Sequence, residues 1–350
     1  MTTPFLRVSA LIVGTLLVSS VLSYKEDQFP ILPIPKSFKT GSGGRSVSEN
    51  LQMNLNYISG TCNSECQSIV NDGFSRVVLG SIEAQSGLPR WRLSIHPEVD
   101  AVPPAVPTPG LSPITAITVS LTSANPYPNI GGIVNGTSSE EHIINVDETG
   151  NPEVRAQTVY GALRAFETLA QLIEWNDVSN TFVISRVPLS IVDAPRFPWR
   201  GFMLDTSRHF FPVPTLERII DSLAYFKMNV LHLHLTDSQS FPVALDSVKN
   251  QSYASYGKNA VYSKKELNSL SDYGKKRGVL VVPEIDTPAH TGSWRYFGED
   301  LVVDCWDYLI SLHGDYVDNK LALNPASKEV WNVVKNVLEE TSEIFDSPCK

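Results

Sequence analysis

Positive charge is scarce in this sequence: 28 Lys and Arg stand against 37 Asp and Glu over 350 residues, a formal net charge of −9. That balance argues against a general nucleic-acid binder, which presents a basic face to phosphates. Cysteine is sparse too, at four residues. Neither Cys62 and Cys66 nor Cys305 and Cys349 has the two-residue spacing of a zinc knuckle, so the thiols give no support to a metal site. Cys62 and Cys66 are close enough to bridge locally. Cys305 and Cys349 could pair with each other or seek partners elsewhere, and spacing does not fix the connectivity. Long apolar runs are limited to Val8–Leu22, with Arg7 before it and Tyr24-Lys25-Glu26-Asp27 after it. This run is short for a membrane span, and Ser20 and Ser23 could flank a cleavage point. Residues 1–23 therefore read as a signal peptide, with an uncleaved anchor as the rival. The mature protein is expected in the secretory pathway, extracellular or lysosomal/vacuolar, with no stable membrane span. Internal repeats and low-complexity segments are absent as well.

What is present suits an α/β protein of two domains. Hydrophobic residues make up 42% of the chain, enough for a substantial core. Sequons at Asn135-Gly136-Thr137 and Asn250-Gln251-Ser252 become plausible glycosylation sites behind a signal peptide. Residues 24–196 read as a small α+β domain. Pro30 to Pro35 is an extended lead-in, Ile114–Leu121 and His142–Val146 have the alternation of strands, and Ala156–Glu174 carries apolar residues at helical spacing. From Trp199 the rhythm changes. Strands are expected at Gly201–Leu204, Val230–Leu235 and Val279–Val282. A helix opened by Pro214-Thr215 follows the first strand, and a second, opened by the capping-box spacing Ser263-Lys264-Lys265-Glu266, precedes the third. Strands alternating with helices imply a parallel sheet, whose C-terminal strand ends line the active face in barrel folds.

Those three strand ends are polar in the same way. They read Asp205-Thr206-Ser207-Arg208-His209, His232-Leu233-His234-Leu235-Thr236-Asp237 and Glu284-Ile285-Asp286-Thr287-Pro288-Ala289-His290. One such end is an ordinary cap; three in succession point to a polar pocket. The runs Arg200–Pro212, Lys227–Pro242 and Pro283–His290, with Trp294 behind the last, resemble in order the first three barrel strands of glycoside hydrolase family 20. Upstream, Gly161–Leu169 resembles the helix that closes that family's N-terminal domain.

The resemblance implies a β-N-acetylhexosaminidase acting on N-acetylated glycans or chitooligosaccharides, with no cofactor and no metal. It implies a small N-terminal domain followed by a (β/α)8 barrel, and a homodimer as the candidate assembly. The implied chemistry retains configuration without an enzymic nucleophile: the substrate's own 2-acetamido oxygen attacks the anomeric carbon. A glutamic acid protonates the leaving oxygen and later activates water, while the aspartate before it orients the acetamido group. By the same resemblance Arg208 grips hydroxyls of the terminal sugar through its planar fork of donors. Asp237 and His290 form a hydrogen-bonded pair beside the catalytic glutamate.

Each assignment has a structural rival. Arg208 could simply pair with Asp205 or another barrel carboxylate, and Asp237 could cap the following segment. His232 and His234, one alternation apart, face the same side of their strand and could bind a metal, though structural hydrogen bonding is the preferred reading. Glu284 and Asp286 share a face, and Asp286 is expected to order the pocket without transferring protons. Ser238 stands where many relatives carry a second aspartate, and Ala289 where many carry glycine. Both bear on substrate preference more than on the reaction.

The family's Gly-Gly-Asp-Glu segment, which holds the acid/base, occurs nowhere in these 350 residues. A helix is expected over Ser327–Phe345, just before where that segment belongs. A (β/α)8 barrel needs about 250 residues, more than follow Pro198 here. The expectation is a barrel truncated after about three strands, in residues 197–350 of a partial sequence, a truncated gene model or a splice product. Transcript beyond Lys350 is the deciding observation. Two further functions compete: a non-catalytic, glycan-binding product of the same lineage, and a metal-dependent barrel hydrolase using His232 and His234.

Overall fold

The computed structural model describes residues 31, 33–86, 105–149, 151–248, 252–298, 300–303 and 322–345. The signal-peptide segment 1–23, Asn250, Cys305 and Cys349 lie outside the described residues. Within them the chain is mixed α/β and forms two sheets.

The first sheet has six strands: β1 (Ser37–Tyr57), β2 (Ile114–Leu121), β3 (His142–Val146), β4 (Glu153–Ala156), β5 (Ile173–Asn176) and β6 (Thr181–Asp193). Their order is β1-β2-β4-β3-β6-β5. β1 is long enough to pair with β6 through Ser37–Val47 and with β2 through Val47–Tyr57, which joins the two sides of the sheet. Against it lie helices α1 (Ser64–Phe74), α2 (Gly80–Ser86), the single turn α3 (Ile130–Val134) and α4 (Val159–Leu172). Helix α4 is buried on nearly every side, including Arg164, Glu167 and Thr168. A helix enclosed in this way needs its polar groups partnered. Gly73 lets α1 approach it: a Cβ there would lie 2.3 Å from Leu163 Cδ2.

The helix expected over Ala156–Glu174 is shorter at both ends. Ala156 closes strand β4, Thr158 caps the helix by accepting from Gly161 N, and Ile173 and Glu174 already belong to β5. Apolar periodicity runs on past Leu172 because the strand buries Ile173 just as the helix would have done.

The second sheet is the parallel run β7 (Gly201–Asp205), β8 (Val230–Thr236) and β9 (Leu280–Ile285), in that order. Helix α5 (Val213–Tyr225) connects β7 to β8, and α6 (Lys264–Lys275) connects β8 to β9; α7 (Lys328–Ile344) follows. The expected alternation and all three strands are present, and the capping box at Ser263 and Glu266 is formed in both directions. A cluster of buried apolar residues packs α5, α6 and α7 on the strands' outer side chains, Leu231, Leu233, Leu235 and Val281 among them. Val230 and Leu280, at the N-terminal ends of β8 and β9, belong instead to the core under the first sheet.

An ionic seam runs along that boundary. Arg164 of α4 donates to the carbonyl of Gly278 at 2.6 Å and to Glu140 at 2.8 Å. The second oxygen of Glu140 accepts from Arg200 at 2.7 Å. Lys227 donates to Thr168 at 2.7 Å and reaches Asp193 at 3.3 Å. The first sheet's helix and strands thus hold the N-terminal ends of the parallel strands, leaving the C-terminal ends to carry polar side chains.

Candidate active site

Strand register sets the site. Asp205, His234 and Glu284 are partners across β7, β8 and β9, so three polar side chains stand in one row at the C-terminal ends. His232 lies two residues back on the same face of β8, and Glu284 touches both imidazoles: Oε2 lies 2.6 Å from His232 Nε2, and Oε1 lies 3.1 Å from His234 Nδ1.

Beyond β7 the chain turns on Asp205, whose Oδ1 accepts from the backbone N–H groups of Ser207 and Arg208 at 3.0 Å each. The turn sends Arg208 back over the strand ends. Its Nη1 donates to Asp205 Oδ2 at 2.7 Å, its Nη2 to Asp237 Oδ2 at 2.6 Å and its Nε to Gln239 at 3.0 Å. Partial burial opposes ionisation of Asp205, but the Arg208 backbone and guanidinium outweigh it and hold the carboxyl below its ordinary range.

Asp237 directly follows β8 and is 1% exposed. Its backbone is fixed on both sides, since its N–H donates to the Ser240 carbonyl at 3.0 Å and its own carbonyl accepts from Ser293 Oγ at 2.7 Å. Its Oδ1 accepts from Ser238 N, while Oδ2 meets Arg208, His234 Nε2 at 3.0 Å and His290 Nδ1 at 2.9 Å. A buried carboxylate is tolerable when it is paired in this manner. His290 reaches it from a left-handed backbone conformation, φ +60°, which non-glycine residues adopt at a cost and which recurs at functional sites.

The structure therefore brings Arg208, Asp237 and His290 together around one oxygen. The rival pairing of Arg208 with Asp205 is formed as well, and the same guanidinium also meets Asp237. Asn135 lies apart and exposed, just after the single turn α3, with its Oδ1 accepting from Thr137 N and Oγ1. His232 and His234, which a metal-dependent reading would use as a pair, both turn to Glu284. Among the described residues, single donor atoms of His234, Asp237 and Asp286 lie within 4.8 Å of one another and could address a cation, although Asp237 Oδ2 already meets three nitrogens. The linking role of Glu284 was missed from sequence, as were Gln239 and the Tyr256 hydroxyl that donates to the Arg208 carbonyl at 3.1 Å. Asp205, His234 and Glu284 stand equally far from the observed strand starts, an alignment hidden in the sequence by the expected start of the third strand at Val279.

Comparison with known proteins gives a consistent result. A family model described as the catalytic domain of glycosyl hydrolase family 20 matches residues 197–349, and one described as beta-acetyl hexosaminidase like matches residues 31–172. The beta-hexosaminidase subunit beta of Entamoeba histolytica is 31% identical over 327 residues, which are 91% of this chain and 56% of that protein. Beta-hexosaminidase subunit B1 of Dictyostelium discoideum is 41% identical over 169 residues, covering 48% of this chain and 30% of that one. In fold, the chain is similar to the chitobiase of Flavobacterium johnsoniae, with a TM-score of 0.67 at 23% identity, over 92% of this chain and 44% of that one. The chain spans about half or less of the length of these relatives.

Proposed function

The chain belongs to glycoside hydrolase family 20, and on that premise we propose that the protein carrying it is a β-N-acetylhexosaminidase. Its substrates are terminal, non-reducing N-acetylglucosamine or N-acetylgalactosamine residues on glycans or chitooligosaccharides. The observation that carries this reading is the convergence of Arg208 and His290 on the buried Asp237 carboxylate at the strand ends. Arg208 offers a planar set of donors to sugar hydroxyls, held in place by carboxylates on two strands. Asp237 and His290 form the pair that would stand beside the acid. In the reaction the acetamido oxygen bonds to the anomeric carbon as the glycosidic C–O bond breaks, and the departing oxygen takes a proton from that acid; water then opens the ring so formed. The Gly-Gly-Asp-Glu segment to which the resemblance assigns this proton transfer does not occur in these 350 residues, so no residue here is given that role. The residues described form the sugar-gripping side of the site. The Cys62–Cys66 disulfide and the exposed Asn135 support passage through an oxidising secretory compartment.

The test is release of nitrophenol from a nitrophenyl N-acetylglucosaminide by the full-length protein, compared with Arg208→Lys. Turnover is expected in the first, with kcat/KM at least about tenfold lower in the second. A folded full-length protein without turnover refutes the enzyme reading. A 350-residue chain that binds N-acetylglucosamine in calorimetry and turns over nothing meets the second reading, a non-catalytic glycan-binding product of the same lineage.

A further inference from the structure

We propose that Glu284 and His234 are positioning residues for Asp237, forming a carboxylate–imidazolium–carboxylate line that fixes the direction and charge of the oxygen on which Arg208 and His290 converge. This rests on the hexosaminidase reading and gives a task to two side chains which that reading leaves idle.

Geometry carries the inference. His234 is 7% exposed and sits in register between Asp205 of β7 and Glu284 of β9. Its Nδ1 is 3.1 Å from Glu284 Oε1 and its Nε2 is 3.0 Å from Asp237 Oδ2. Each nitrogen faces an acceptor-only carboxylate, so both bonds form together when both nitrogens carry hydrogen. The imidazolium does this. A neutral ring would turn a lone pair toward one carboxylate, and in a buried setting that mismatch is costly. Glu284 does not touch Asp237, yet it decides which protonation state of His234 the Asp237 carboxylate meets.

The surroundings favour the charged ring. His234 faces Glu284 on β9, Asp237 just past its own strand and Asp205 at the end of β7, while the Arg208 guanidinium, with Nη1 at 3.4 Å from Nε2, opposes the charge. His232 shares Glu284 with it, while His290 and Asp286 complete the group on the far side of Asp237. Burial works against the His234 cation, but its bonds to Asp237 and Glu284 and the charges of Glu284 and Asp205 outweigh that, and its pKa lies above the ordinary histidine value.

A merely structural stitch between β8 and β9 would affect stability without touching the pH dependence of turnover. The experiment therefore uses Glu284→Gln in the full-length protein, which keeps the shape and the hydrogen-bonding reach and removes the charge. Two readouts are taken: the pH profile of kcat and KM, and the titration of His234 followed by ¹⁵N-histidine NMR, assigned with His234→Gln. In the wild type His234 should titrate above an ordinary histidine. In Glu284→Gln its titration should fall, the basic limb of kcat should move to lower pH, and kcat should drop about tenfold with KM changed less than about twofold. An unchanged titration and an unchanged limb overturn the proposal. So does a wild-type His234 that titrates at or below the ordinary value, a measurement that still decides if Glu284→Gln does not fold. If the wild type shows no turnover, the hexosaminidase reading falls, and the His234 titration alone judges the line.

Discussion

Glu167 shows how one buried side chain ties the fold to pH. It lies inside α4 near Arg76, Arg164 and Lys227, yet burial dominates those three cations and pushes its pKa up to about 7 from an ordinary 4.5. As pH rises through 4.5 the unfolded chain releases this proton while the folded one still holds it. The folded state is therefore progressively disfavoured from pH 4.5 to 7, and the penalty is complete above that window. Glu167→Gln should raise the unfolding free energy at pH 8 by about 2–3 kcal/mol and change it little at pH 4. Urea titrations at the two pH values check this, and equal effects at both would contradict it. His142 works in the opposite sense. Burial first, and then the charge of Lys227, push its pKa down to about 4, so the unfolded chain takes up a proton that the fold refuses as pH falls from 6.5 to 4. Between 4.5 and 6.5 the two residues pull stability in contrary directions. Neither effect was visible in the sequence, because each depends on enclosure by segments far along the chain.

At the scale of elements, local chemistry was legible and long-range pairing was not. The capping box that opens α6 could be read from Ser263-Lys264-Lys265-Glu266, and both of its bonds are formed. Ser263→Ala should cost about 1 kcal/mol, seen as a lower urea midpoint with an unchanged slope; no shift would mean that the helix start is held by packing alone. Strands β2 and β3 and the three parallel strands were likewise legible from alternation or from short apolar runs. The longest strand, β1, was not. Its Ser37–Tyr57 segment is rich in Ser, Gly and Asn, and its burial follows no steady alternation. It is a strand because β6 and β2 take up its backbone groups, with Gly41 admitting Pro188 where a Cβ would lie 2.4 Å from the ring. β6 itself was obscured by that proline. The site divides along the same line. The polar runs could be read from the strand ends, and the family resemblance picked Arg208, Asp237 and His290 out of them, whereas the bridge from Glu284 to His234 exists through register between β8 and β9.

At the scale of the whole chain, the two apolar cores are joined by the seam through Glu140, Arg164, Arg200, Lys227 and Asp193. Arg164 has 2% of its side chain exposed, so removing its partner leaves a guanidinium charge in a dry setting. Glu140→Gln should cost about 3 kcal/mol and open the connection around residues 194–200 to proteolysis before the rest of the chain unfolds. Uniform resistance there would show that apolar contact, rather than the seam, holds the two parts together. The seam also has a consequence for biosynthesis. Residues up to 193, which complete the first sheet through the β1–β6 pairing, leave the ribosome before any of the parallel strands exist. When the turn at Arg277 and Gly278 is made, the Arg164 donors that receive its carbonyls are already in position. The later half of the chain is thus assembled on a finished template, anchored at the end opposite to the one that carries Arg208, Asp237 and His290.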